Sequence, residues 1–202
     1  ALSLGGCDRL RAAVGAAPPL HGAAYTPPVP APPLRLTRAA GATADTFDLA
    51  RDGAGAGRAA LVFFGYTHCP DVCPTTLADW THVKRALAAR DPADTARVHF
   101  IFVTVDPERD SAAVVAHYLA QFDPGFVGLT GSRAAIDATQ AAWHVSSFRE
   151  PAPVGAPATS YAVSHSAQVF LVGPDGRLRA VYPLNAPAAD VAADLHQVLS
   201  GG

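Results

Sequence analysis

From residue 45 onward the apolar positions follow two periods. Residues 59–64 (Ala-Ala-Leu-Val-Phe-Phe) are a continuous apolar run of strand length, the pattern of a strand buried on both faces, and 98–105 (VHFIFVTV) read as a second buried strand. After the first run the period lengthens. Leu77, Trp80, Val83 and Leu87 share one helical face, and Thr76-Leu-Ala-Asp79 has the capping-box pattern that starts the helix at Thr76. Ser111 opens a second helix through Val115, Leu119 and Phe122, residues 126–129 read as a short strand, and 132–143 as a third helix. Residues 168–172 and 177–182 flank Gly173-Pro-Asp-Gly176, which predicts a hairpin. Pro187 then begins a last helix through Val191, Leu195 and Val198, and residues 46–49 predict a short edge strand.

This order, β-α-β-α and then β-β-α, predicts an α/β thioredoxin-like fold: a mixed central sheet flanked by helices, with a C-terminal β-hairpin and helix. A dinucleotide-binding fold is disfavoured, because no glycine-rich phosphate loop follows the first buried strand.

The chain of 202 residues is 50% hydrophobic and 16% charged, enough for one cored domain plus a tail. Three segments follow from the pattern: 1–7, 8–44 and 45–202. Seven prolines between Pro18 and Pro33 make the second segment an extended leader or spacer unable to pack a core. The first segment ends in Leu4-Gly5-Gly6-Cys7, which has the look of a signal-peptide tail running into a lipoprotein box, with Cys7 as the lipidated residue. The alternative is a small-residue stretch with an incidental cysteine. With lipid on Cys7 the protein sits on the extracytoplasmic side of a bacterial membrane, held by that anchor alone, since no apolar run reaches about 18 residues. A net charge of -2 gives nucleic-acid binding no support.

Chemistry concentrates in Gly65-Tyr-Thr-His-Cys69-Pro-Asp-Val-Cys73-Pro-Thr-Thr76. It follows a buried strand and precedes a helix, the position where open α/β sheets place ligands. Pro70 and Pro74 predict a fixed loop that turns the two thiols toward each other. Cys73 lies near the helix N-terminus, which favours thiolate. Dithiol oxidoreductases of this fold use two intervening residues. Here there are three, better suited to gripping an ion between two sulfurs. The bland alternative is a structural disulfide or a pair of inert core cysteines.

Two thiolates leave an ion under-coordinated. Of eight histidines, His21, His82, His99, His117 and His196 fall in the leader or in regular elements, His68 points away from its neighbour Cys69, and His144 follows a helix end. His165, in the segment entering the hairpin, faces the cysteine loop in a thioredoxin-like fold. Asp106 closes the second buried strand at the same sheet edge. It either supports the site from behind the ligands or is a turn residue before Pro107.

Residues 66–77 (YTHCPDVCPTTL), Val105-Asp-Pro-Glu-Arg-Asp110 and Tyr161-Ala-Val-Ser-His-Ser166 resemble the Sco/SenC copper-chaperone family in order and spacing. The resemblance implies one bound copper ion, as Cu(I) or Cu(II), with Cys69, Cys73 and His165 as ligands. It also implies assistance in assembling the dinuclear copper site of cytochrome c oxidase subunit II. One departure is Ser164, where the family is often acidic. Two sulfurs and one nitrogen suit Cu(I). The reading expects a copper-binding chaperone rather than an enzyme, with a second copper chaperone and a thiol reductase as further partners. The alternative is an extracytoplasmic thiol-disulfide reductase with Cys69 and Cys73 as its redox pair.

Overall fold

The computed structural model describes residues 18–40, 45–157 and 159–201; Cys7 and the rest of 1–17 lie outside the described residues. In chain order the elements are β1 (Ala23–Pro30), β2 (Arg35–Arg38), β3 (Thr46–Asp48), β4 (Ala59–Gly65), α1 (Val72–Arg90), β5 (Val98–Thr104), α2 (Ala112–Ala120), β6 (Val127–Thr130), α3 (Arg133–Ala142), β7 (Ser147–Arg149), β8 (Val163–His165), β9 (Val169–Val172), β10 (Arg177–Tyr182) and α4 (Ala188–Ser200).

The centre is an eight-stranded mixed sheet in the order β1-β10-β9-β4-β5-β6-β2-β3. All seven residues of β4 are buried, which is what the unbroken apolar run requires. β4 pairs in parallel with β5 from Ala59↔Val98 to Gly65↔Thr104, and antiparallel with β9. Both parallel strands therefore end at one edge, where the cysteine loop and Asp106 begin. The thioredoxin-like class read from the sequence is the observed one. Ser111 and Ser132 cap α2 and α3 by accepting from the backbone N–H of Val114 and Ala135.

Two expectations need correction. Helix α1 begins at Val72, four residues before Thr76, so Cys73 lies in its first turn. Pro74 is tolerated there because the first N–H groups of a helix have no intrahelical acceptor. Thr76 caps nothing; its hydroxyl donates to the Val72 carbonyl at 2.9 Å.

The second correction concerns the 8–44 spacer. The prolines do keep the chain extended, but much of it is built into the sheet. β1 pairs with β10, and β2 bridges β6 and β3. Leu34 and Leu36 are core residues, at 2% and 4% exposure. Polyproline-like backbone geometry is close to that of a strand, and a strand at a sheet edge tolerates proline. Pro27, Pro28 and Pro30 occupy that edge. β7 and β8 form a separate two-stranded ribbon with Ser147 opposite His165. Three residues per strand leave no readable alternation, which is why the sequence pattern missed it.

Candidate metal centre

The loop after β4 and the ribbon strand β8 meet at the carboxyl ends of β4 and β5. Cys73 is fully buried and Cys69 half-buried, and both are free thiols. Cys73 Sγ lies 3.7 Å from His165 Nε2. The backbone N–H of Cys73 donates to Cys69 Sγ at 3.4 Å. The Asp71 N-cap makes no side-chain cap bond, so the Cys69 sulfur takes one of the free donors of the helix end.

That contact splits the pair. Hydrogen bonding from Cys73, helped by His165 and by backbone donors, holds the Cys69 thiol far below the usual thiol range, against a desolvation cost. Cys73 moves the opposite way, pushed up by its bond to Cys69 and by burial. The Cys73 side chain, with a smaller part from His165 and the backbone donors of the helix end, thus favours thiolate at Cys69, not at Cys73 as the sequence suggested. Of the two thiols, the half-buried Cys69 is therefore the one favoured as thiolate.

His165 is held in place on three sides. Its Nδ1 pairs with the Ser166 carbonyl at 2.9 Å, which puts the ring proton there and leaves the Nε2 lone pair facing Cys73. Phe63 and Tyr66 pack edge-on against the ring, with centroids 6.0 and 5.9 Å away. The structure thus brings Cys69, Cys73 and His165 together. Among the described residues no group of three or more His, Cys, Asp or Glu side chains has the arrangement of a formed metal site. The donor set, two sulfurs and an imidazole nitrogen, is that of a soft-metal site.

Asp106 does not touch His165. It is 1% exposed, accepts from the Tyr161 hydroxyl at 2.8 Å, and pairs with Arg109 Nε. Arg109 lies over the Tyr161 ring at 3.6 Å and donates to the Tyr161 carbonyl. Asp106 therefore fixes the segment leading into β8, at one remove from the imidazole. His68 is exposed, with Nδ1 3.1 Å from Thr67 Oγ1. His144 is exposed on left-handed backbone, φ 53°.

Sequence reasoning missed Asp110. Fully buried, it accepts from the Thr67 N–H (3.0 Å) and from the hydroxyls of Thr67 and Thr104 (2.6 Å each). It braces the start of the cysteine loop from below. Its place in the Asp-Pro-Glu-Arg-Asp motif was the available signal.

The family model described as SCO1/SenC matches residues 35–200. The chain belongs to the SCO1/SenC family. Among its relatives, the mouse protein named "Protein SCO1 homolog, mitochondrial" is 33% identical over 139 residues, which cover 69% of this chain and 47% of that protein. The chain thus spans about half the length of that relative. Two solved Sco structures share the fold. ScoI of Bradyrhizobium japonicum with copper bound is 35% identical, with TM-score 0.67, covering 83% of this chain and 98% of that one. Apo Sco1 of Thermus thermophilus is 32% identical, with TM-score 0.70, covering 91% and 98%. No helix among the described residues is long and apolar enough to cross a membrane.

Proposed function

We propose that this SCO1/SenC protein is a copper metallochaperone. It takes one copper ion as cargo on Cys69, Cys73 and His165 and assists assembly of the dinuclear copper site of cytochrome c oxidase subunit II. The observation that carries the reading is the contact between Cys73 Sγ and His165 Nε2, 92 positions apart in sequence. Two sulfurs and a nitrogen form a low-coordinate set that favours Cu(I) over a zinc site wanting four ligands. The copper-bound Bradyrhizobium japonicum relative supports copper as the cargo. Partners in this reading are the oxidase subunit, a copper-donating chaperone and a thiol reductase. Its location is the outer face of a bacterial membrane, through lipid on Cys7, a reading supported by the Leu4-Gly5-Gly6-Cys7 sequence.

The test is anaerobic Cu(I) titration of the reduced protein and of His165→Ala, with the fold of each checked by circular dichroism. One ion per chain is expected. The variant should lose more affinity than the roughly tenfold to hundredfold that follows removal of a ligand's hydrogen-bond partner. Unchanged binding would sink the three-ligand site.

A thiol-disulfide reductase is the second reading, and the split of the thiol pair favours it. Cys69, half-buried and anionic, is placed to attack a target disulfide, and Cys73 to resolve the mixed disulfide. Exchange then leaves Cys69–Cys73 oxidised and the target's two thiols reduced. His165 gives only a lesser part of the Cys69 shift, after Cys73, so His165→Ala should abolish tight copper binding while slowing exchange only in part.

A further inference from the structure

The route of the leader says which way the site faces. Helix α4 starts beside the cysteine end of the sheet, where Val191 shares a small cavity with Thr76, Val169 and Tyr182. It runs to the opposite pole. There His196 bonds Asp94, and the Leu199 carbonyl accepts from Arg97, both just ahead of the N-terminal end of β5. The leader climbs back along this helix. Gln197 Nε2 donates to the Pro18 carbonyl at 2.7 Å, and residues 18–20 line a cavity with Val198 and Gly201.

The climb ends in a latch. Asp194, 1% exposed, accepts from the N–H groups of His21 and Gly22, from the Tyr182 hydroxyl at 2.7 Å, and pairs with His21 Nδ1 at 2.7 Å. The chain then reverses into β1, whose Ala23 lies opposite Val181. Pro18 is therefore held at the pole away from Cys69, Cys73 and His165. Thirteen residues of α4, about 20 Å at 1.5 Å per residue, separate the two ends.

We propose that the latched leader sets the polarity of the membrane-bound protein. The pole bearing the cysteine loop and the β7–β8 ribbon faces away from the bilayer, and the copper acceptor docks there as an extramembrane domain approaching from the distal side. This rests on the lipid-anchor reading of Cys7. Ten residues separate Cys7 from Pro18, a contour of at most about 35–40 Å, and all of it joins the domain at the far pole.

The experiment uses the full chain with Cys69→Ser and Cys73→Ser, which leaves Cys7 as its one thiol, coupled to phosphatidylcholine vesicles bearing maleimide lipid. A donor dye is placed through a bio-orthogonal residue at Asp71 or at Ala89, both exposed, with an acceptor dye in the headgroups. These positions mark opposite ends of α1, about 27 Å apart. Energy transfer is expected to be severalfold greater from position 89. Equal transfer, or greater transfer from position 71, overturns the proposed polarity. If the serine variant does not fold, an N-terminal hexahistidine tag on nickel-chelating vesicles gives the same readout with both thiols native. The anchor reading is tested separately by the mass of the native membrane-extracted protein. An unlipidated Cys7 removes that reading and leaves the vesicle measurement of polarity standing.

Discussion

His165 Nε2 and Cys73 Sγ face each other at 3.7 Å, one from the strand entering the hairpin and the other from the first turn of α1. Neither element holds the pair alone. The Ser166 carbonyl fixes the imidazole tautomer, and Gly65 fixes the depth of the sulfur. Affinity at this site therefore depends on residues that carry no donor atom of their own.

Gly65 is the sharpest case. A Cβ there would stand 2.8 Å from Cys73 Sγ, 2.8 Å from Phe102 and 2.9 Å from Phe63. The two rings are locked in the core, so the sulfur has to yield. Gly65→Ala should cost about 1–3 kcal/mol by overpacking and weaken Cu(I) binding as well. Thermal unfolding and competitive Cu(I) titration check the two effects. Wild-type affinity in the variant would show that the sulfur's position tolerates movement.

Asp110 should matter through Thr67. With Asp110→Ala, the Thr67 and Thr104 hydroxyls and the Thr67 N–H lose a charged acceptor at a fully buried site. A loss of about 3 kcal/mol or more is expected, since hydrogen bonds to charged groups contribute about 1.5–3 kcal/mol each. Hydrogen exchange should locate the loosening at residues 65–69. Protection unchanged there would mean the loop is held by α1 alone.

What was legible followed from locality. The runs 59–64 and 98–105 announce buried strands because the first is wholly apolar and the second is broken only by His99 and Thr104, and Cys69 and Cys73 announce themselves by spacing between prolines. His165 was reachable only through the fold and the family resemblance. The leader misled because proline density describes backbone shape and says nothing of whether an edge strand, β10, waits to be paired. Asp194 and Asp110 were invisible for a related reason: their partners, His21 and Thr67, lie 173 and 43 positions away.

The leader gives a prediction opposite to the one a spacer would give. Deleting residues 1–40 removes β1, β2, the His21 latch and the buried side chains of Leu34 and Leu36. Emptying a buried leucine site typically costs about 2–5 kcal/mol, so the truncated chain should unfold at a much lower temperature or fail to fold cooperatively. Calorimetry decides it. Unchanged thermal stability would show that the sheet does not need its two leader strands.

The His21 latch should also respond to pH. The hydrogen bond to Asp194 raises the His21 pKa above 6.5; Asp190 adds to this, while desolvation and Arg90 oppose it. A raised folded-state value means the stabilisation is fully present below about 6.5 and is lost as pH rises through the folded value. Comparing wild type with His21→Gln by thermal melts from pH 5 upward, the stability gap should be widest at the acid end. A gap that grows with pH would contradict the assigned ion pair.

Oxidation should gate the copper site. Cys69 Sγ sits close enough to accept from the Cys73 N–H at 3.4 Å, and each sulfur must come within about 2.3 Å of a shared ion, the distance typical of zinc thiolates. A disulfide demands that the same sulfurs approach to about 2.05 Å of each other. It leaves no thiolate for the metal. Copper occupancy and disulfide formation should therefore exclude each other, and bound Cu(I) should shield both thiols from alkylation. The Cys69 anion makes the apo pair the vulnerable state, because thiolate is the form that oxidants and alkylating agents attack. Loading then requires a reductant that opens the pair first, which gives the thiol reductase its place in the sequence of events. The measurement is a Cu(I) titration of the apo-protein after oxidation, in a non-reducing buffer, with free thiols counted before and after. Binding should vanish with the thiols of Cys69 and Cys73 and return on reduction. Full binding by the disulfide form would place the metal elsewhere, and the ligand assignment of both cysteines would fail with it.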